Sequence, residues 1–360
     1  MIWTGMLMAQ CPLFDSPANL DLVGQGAHMI YSMDKDSAEY YIKQARQRLP
    51  NHPVGSAMEA FLILWQNIPV LEDSVFEAFK SKLNQTIEEA QALGKDHPEG
   101  IFFEMTARGL LAEYWADRGY YMKAFGEANQ TYSLLKESFD LTAKYPEFLF
   151  IVGLYNYFRE AYPERHPVYK PLLWFFHEGD IELGLDQITQ ATSRTVLSKV
   201  ESHVYLTYIY LRYEQKPIFS KKYINALLKT YPNNPYVRAK YLESISATKT
   251  YEVLDPSLTL NLMEHDKSYY KMTGYIYEGL RLEMNELDME QSLIHYKRGL
   301  NVGDEIPNHG DYYKSVGYLG AGRVLQKLNR HNEAEYWLRK ALEIAETDEL
   351  EEEAELLLAR

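Results

Sequence analysis

His177 and Glu178 stand together like the opening pair of a zincin string, in which a second histidine four residues after the first completes the metal site. Ile181 occupies that place, so the string is broken. His166 and His177 share the stretch REAYPERHPVYKPLLWFFHEG, residues 159–179, with its prolines and aromatics. By location they are the best catalytic candidates, against a competing role as structural or surface histidines. Cys11 is the only cysteine. It has no recognisable base nearby in an apolar segment, so it does not read as a nucleophile. One cysteine also excludes an internal disulfide and a cysteine-rich zinc site. Gly24 and Gly26 form a short GxG on a helical pattern with no strand before it, which reads as helix packing. No GxSxG elbow, phosphate-binding loop or dinucleotide fingerprint is present. Carboxylates are numerous, and a pair facing across a cleft would suit glycoside hydrolysis. An all-helical carbohydrate-active enzyme is therefore the catalytic alternative. No cofactor and no metal is implied.

Binding is the chemistry that the aromatic residues offer instead. The chain holds 30 tyrosines. Tyr and Trp present large contact area with few torsions to freeze and a polar handle at the rim. Most of these tyrosines are expected to pack between helices, and in that role they say nothing about a ligand. The formal charge of -14, from 37 basic and 51 acidic side chains, argues against a nucleic acid partner. No apolar run is long enough to cross a bilayer.

Helical periodicity dominates, with almost no sustained strand-like alternation. Short signals separate the helices: LPNHP at 49–53, KDHPEG at 95–100, KYPEF at 144–148 and TYPNNP at 230–235. In each, proline stops one helix or opens the next, and Asn or Asp favours the turn.

The helices also repeat. Ser315–Glu346 carries Tyr318, Ala321, Gly322 and Leu325, then Ala334, Leu338 and Ala341. The first unit carries Leu22, Gly26 and Met29, then Ala38, Ile42 and Ala45, and Pro50 closes it. The step from Gly26 to Ala38 equals that from Gly322 to Ala334. These residues resemble the tetratricopeptide repeat (TPR), in which small residues let helix A approach helix B and larger ones fill the seam. The departures are Tyr318 at the family's tryptophan position, Leu338 at its phenylalanine position, and Glu346 where a proline is usual. The middle is more degenerate. Gly184, Ile188 and Ala191 resemble a helix B, Gly279, Ser292, Tyr296 and Gly299 another unit, and Gly109 and Gly153 sit on helix-A-like segments. A long helix B follows Gly109 and ends at Pro146. Residues 201–232 fit loosely, with the bulky Tyr208 where a small residue is expected.

The resemblance implies an all-α fold, a TPR-like right-handed superhelix of stacked antiparallel helical hairpins, roughly five to seven of them. We expect one domain over residues 1–360, with a division near 180 or near 255 as the alternative. Repeat stacking supplies the core and curves the array. The family's inner face implies a groove of helix A residues. In the first unit these are Leu20, Val23, Ala27, Ile30 and Tyr31; around Gly109, Thr106, Leu110, Glu113 and Tyr114; around Gly153, Phe150, Leu154, Tyr157 and Phe158. Tyr205, Ile209, Arg212 and Tyr213 follow, then Leu319, Arg323, Gln326 and Lys327. Arg323 and Lys327, four apart, could receive a partner's terminal carboxylate, with pairing to nearby acids as the bland alternative. A non-catalytic scaffold for a protein or peptide is the leading expectation, and an oligosaccharide would also suit the surface. An assembly or carrier role through outer faces is the second reading. The apolar start, residues 1–15, has three open readings: a start placed inside a longer export signal, a strand or cap packed on the first repeat, or an unstructured segment. Acidic residues from Asp348 to Glu355 read as a solvated face on a terminal helix, with an acidic docking tail as the sharper alternative. Neither compartment nor oligomeric state follows.

Overall fold

The computed structural model describes residues 11–165 and 176–359. Most of the apolar start, ten residues of the aromatic insert, and His166 with them, lie outside the described residues. Among those described, the chain is all α-helix with two short 3-10 turns and no strand. Two compact units, Met1–Leu206 and Thr207–Arg360, emerge. The boundary falls inside a helix, away from the interruptions near residues 180 and 255.

The first unit is a run of antiparallel hairpins. These are α1 (Pro17–Tyr31) with α2 (Lys35–Arg48), α3 (Val54–Asn67) with α4 (Asp73–Ala92), α5 (Pro98–Asp117) with α6 (Tyr121–Ser138), and α7 (Phe148–Arg165) with α8 (Ile181–Arg194). The first half of α9 (Lys199–Arg212) follows. The second unit holds the rest of α9, then α10 (Pro217–Thr230), α11 (Pro235–Thr248), α12 (Pro256–Met263), α13 (Ser268–Met284), α14 (Met289–Gly303), α15 (Asp311–Lys327), α16 (His331–Glu343) and α17 (Asp348–Leu358).

The four proline signals all fall between helices, as their chemistry requires. Prolines open α1, α5, α10, α11 and α12, where the missing N–H costs nothing. Side chains cap others: the Asp34 carboxylate accepts from Ser37 N–H at 3.1 Å, and that of Asp288 from Gln291 N–H at 2.9 Å. Each such cap contributes about 1 kcal/mol. The helix after Gly109 is shorter than its pattern suggested. It stops at Ser138, and a 3-10 turn, Asp140–Ala143, carries the chain toward Pro146.

Small residues set the hairpin spacing. Ala38, Ala45, Ala334 and Ala341 are fully buried or nearly so. A β-carbon on Gly26 would stand 3.0 Å from Tyr41 Cβ on α2, and one on Gly322 would stand 2.5 Å from Leu338 Cδ2 on α16. Gly153 and Gly184 mark the α7–α8 crossing: a β-carbon on Gly153 would meet Ile188 Cγ1 at 2.8 Å and Gly184 O at 3.0 Å. This close approach is what the repeat resemblance implied for its hairpins.

The described start of the chain, residues 11–15, contacts α1 through Asn19 Nδ2, which donates to Pro12 O at 2.6 Å, and packs on α5 and α7. Leu13 is fully buried, and Phe14 packs edge-on against Phe102 of α5 and Phe148 of α7. Glu99, in the first turn of α5, holds it there: its Oε1 accepts from Leu13 N–H at 2.7 Å and Phe14 N–H at 2.6 Å. His52 Nδ1 accepts from Val54 N–H, which leaves Nε2 to donate to Glu99 Oε2 at 3.0 Å.

Candidate functional site

In the first unit the inner faces of α1, α3, α5 and α7, with the start of α9, enclose a cavity of about 230 Å³. Its walls are Val23, Ala27 and Ile30 from α1, Val54, Ala57, Met58 and Phe61 from α3, and Phe102, Phe103, Met105 and Leu110 from α5. Phe150, Ile151, Leu154 and Leu197 complete the apolar surface. Gly109 also lines it, and unlike Gly153 it has nothing within 4 Å of where a β-carbon would stand. Its small size opens the cavity instead of bringing two helices together.

Two carboxyl groups interrupt this apolar wall, Glu113 on α5 and Glu201 on α9. Each is held by a tyrosine from another helix. Tyr205 Oη donates to Glu113 Oε2 at 2.9 Å, and Tyr31 Oη donates to Glu201 Oε1 at 2.6 Å. Trp65 flanks the second pair, its ring edge-on to Tyr31 at 4.9 Å. Phe150 packs edge-on against Tyr205 at 5.4 Å, so both hydroxyls are aimed by aromatic contacts. No Lys, Arg or His lines the cavity among the described residues. Burial pushes Glu113 up to about 7 against the Tyr205 hydrogen bond, and Asp117 adds to the rise. Glu113 is exposed to solvent, which limits how firmly it holds its proton. Burial likewise pushes Glu201 up to about 7 against its bonds to Tyr31 and Trp65. A carboxyl in an apolar pocket without a cation favours its neutral form.

Of the aromatic residues expected in the groove, Tyr31 and Tyr205 line this cavity, while Tyr114, Tyr157 and Phe158 do not. Tyr114 turns onto Phe79 of α4, with ring centroids 5.3 Å apart. Tyr157 is buried; it lies where α7 meets α8, and its backbone N would stand 2.6 Å from a β-carbon on Gly184. Tyr157 shares its helix face with Phe150, seven residues earlier, but it stands about two turns farther along α7, outside the cavity lining.

The expected cations of the second unit are occupied. Arg212 pairs with buried Glu243, which also accepts from Lys240 Nζ and Tyr313 Oη, both at 2.8 Å. Arg212 also lies over the Tyr312 ring at 4.2 Å. Arg323 makes a two-pronged contact with buried Glu283, at 2.9 Å for both prongs, and a third bond to Glu353 of α17 at 2.9 Å. Lys327 stands 3.5 Å from Glu283 Oε1. The guanidinium groups serve the core of this unit, so a partner's carboxylate would have to displace a buried glutamate. Tyr213 packs against Tyr208 at 5.8 Å.

Glu201 escaped the sequence reading, although it lies one turn before Tyr205 on the same face. The α3 wall escaped it too, because no repeat signature marks that helix. The fold also brings together groups distant in sequence. Ligand atoms of Cys11, His97 and Glu99 lie within 4.8 Å of one another, all buried. Glu99 spends its oxygens on the backbone and on His52. Cys11 accepts from Tyr145 Oη at 3.4 Å, and burial raises its thiol, so this cluster reads as an anchor for the start of the chain. His177 fixes the end of the insert through its backbone: its N–H donates to Tyr132 Oη at 2.8 Å and its carbonyl accepts from Tyr155 Oη at 2.5 Å.

No family model matches the chain, and no curated protein matches it. Among solved structures it is similar to the TPR domain of P58(IPK), at 12% identity over 94% of this chain and 98% of that one, with a TM-score of 0.26. The fold class rests on the hairpins themselves. No described helix is long and apolar enough to cross a membrane.

Proposed function

We propose that the chain is a non-catalytic binding scaffold whose first unit receives an apolar group of a protein or peptide partner. The observation that carries this reading is the convergence of four inner helix faces and α9 on one apolar cavity of about 230 Å³. For scale, a dry cavity of about 150 Å³ takes a benzene ring. The site is therefore sized for one anchoring side chain and its neighbouring atoms. Displacing water from such walls supplies affinity, and the few polar groups fix orientation.

Gly109→Phe tests the reading, because it fills the cavity from a position with open space and removes a helical glycine. Peptides selected against the wild-type chain from a random display library should bind the folded variant at least about tenfold more weakly. Equal binding to both chains would move the partner to an outer face.

One observation favours a second reading, a helical carbohydrate-active enzyme: two carboxyl groups share a cavity with aromatic residues. Against it, both carboxyls are shifted the same way, whereas glycoside hydrolysis needs one acid and one ionised group. The walls also offer few partners for sugar hydroxyls. Release of sugar from a panel of aryl glycosides, lost in Glu113→Gln, would establish the enzyme instead.

A further inference from the structure

We infer that the group entering the first unit's cavity is a compact ammonium ion carried on an apolar body. The inference rests on the scaffold reading and names the chemistry of its anchor. Among the described residues Glu113 and Glu201 form no ion pair, and the cavity lining supplies neither with a cation. Elsewhere in the first unit, partly buried glutamates do find cations: Glu59 meets Arg46 at 2.8 Å and Lys82 at 2.7 Å, and Glu104 meets Arg108 at 2.8 Å. Among the described residues, buried Glu99 and Glu147 also lack a Lys or Arg, but they spend their oxygens on backbone N–H groups; Glu113 and Glu201 line a cavity instead. An ionised carboxylate in an apolar wall is costly until a cation arrives, so a cationic ligand recovers that cost on binding.

The supporting hydroxyls fit the same chemistry. Tyr31 and Tyr205 each donate to one carboxylate oxygen, which fixes the carboxyl planes. Oε2 of Glu201 is buried from solvent and receives no hydrogen bond of ordinary geometry, with Trp65 a further donor near the carboxyl. An ammonium has three donors and no acceptor, and an apolar body follows from Phe61, Phe102, Leu110, Phe150 and Leu154. A guanidinium is less suited, because its planar fork needs paired acceptors at fixed spacing. An anion would add to the two carboxyls and is excluded on charge.

The test titrates the full chain with 2-phenylethylamine and its neutral match 2-phenylethanol, at pH 8 and pH 5, by calorimetry. Because the carboxyls ionise with rising pH, the amine should bind about tenfold or more tightly than the alcohol at pH 8, with much of that preference lost at pH 5. The Glu113→Gln/Glu201→Gln double variant should lose the preference and keep the alcohol, which shows that its cavity survives. A second arm compares a peptide starting with leucine against the same peptide N-acetylated. Preference for the free amino terminus assigns the ammonium to a polypeptide, and preference confined to the small amine assigns it to a free metabolite. Amine and alcohol binding alike, a preference that persists in the double variant, or binding of neither would overturn the inference. If Gly109→Phe still abolishes binding of selected peptides in that case, the scaffold reading stands without it.

Discussion

Glu243 and Glu283 in the second unit each lie against two cations and a tyrosine hydroxyl, whereas Glu113 and Glu201 in the first unit have a tyrosine hydroxyl and, among the described residues, no cation. Burial alone would push all four upward. At Glu243, Arg212 and Lys240 overcome burial and bring the carboxyl down to about 2, and at Glu283 Arg323 does the same in direction. The second unit thus spends its cations on its own core, and its charge is closed. The first unit leaves two acids facing a space. Identical residue types serve packing in one place and face a cavity in the other.

Removing a carboxylate should separate the two cases most sharply. Glu283→Ala strands Arg323 in the core, and loss of one partner of a buried pair costs about 3–5 kcal/mol. Glu201→Gln removes a charge with no cation to strand, and should change stability by less than about 1 kcal/mol. Thermal unfolding of the two variants checks this. A large loss from Glu201→Gln would mean that its charge is compensated after all, and the contrast would collapse.

The glycines give a second, smaller contrast of opposite sign. Gly153→Ala drives a β-carbon into Ile188 Cγ1 at 2.8 Å and Gly184 O at 3.0 Å, and overpacking of this kind costs about 1–3 kcal/mol. Gly109→Ala meets nothing within 4 Å and should stabilise by about 0.5–1 kcal/mol through helix propensity. Denaturant midpoints of both variants test it. Destabilisation by Gly109→Ala would show that the helices around the cavity close on one another, leaving no room for a ligand.

Those glycines also mark how far the sequence is legible. Gly26–Ala38–Ala45 and Gly322–Ala334–Ala341 were readable because close helix approach demands small residues at fixed spacing, and Pro-rich turns punctuated the helices. Gly109 looks the same in the sequence, yet it makes a hole instead of a contact. Distinguishing the two requires knowing what lies opposite. Tyr31 and Tyr205 were found by following an inner face. Tyr157 lies on the same face as Phe150 but farther along α7, where the helix packs on α8 at Gly184, and the sequence does not show where along the helix the cavity ends. Arg212 and Arg323 looked available because their acids sit on other helices, tens of residues away. Glu201 was within reach, one turn before Tyr205, but nothing in the sequence distinguished it from the other acidic residues of a chain with charge -14.

Acidity provides the finest discrimination between the units. A free glutamate titrates near 4.5, and Glu201 and Glu113 are raised to about 7. Between those values the folded first unit holds protons that the unfolded chain has released. Its stability therefore falls as pH rises from about 4.5 to 7 and levels off above. Glu243 runs the other way: its carboxylate is ionised down to about 2, so its contribution is complete above 4.5 and is lost as pH falls toward 2. Hydrogen exchange resolved by segment, corrected for the intrinsic pH dependence of amide exchange, separates the two. From pH 5 to pH 7.5, protection in α5 should fall while that in α13 and α15 holds. Glu201→Gln should reduce the α5 response, with Glu147, which burial also raises to about 7, and exposed Glu113 carrying the remainder. An equal response in α13 would mean that the carboxyls of both units sit in like surroundings, against the counter-charges that distinguish them.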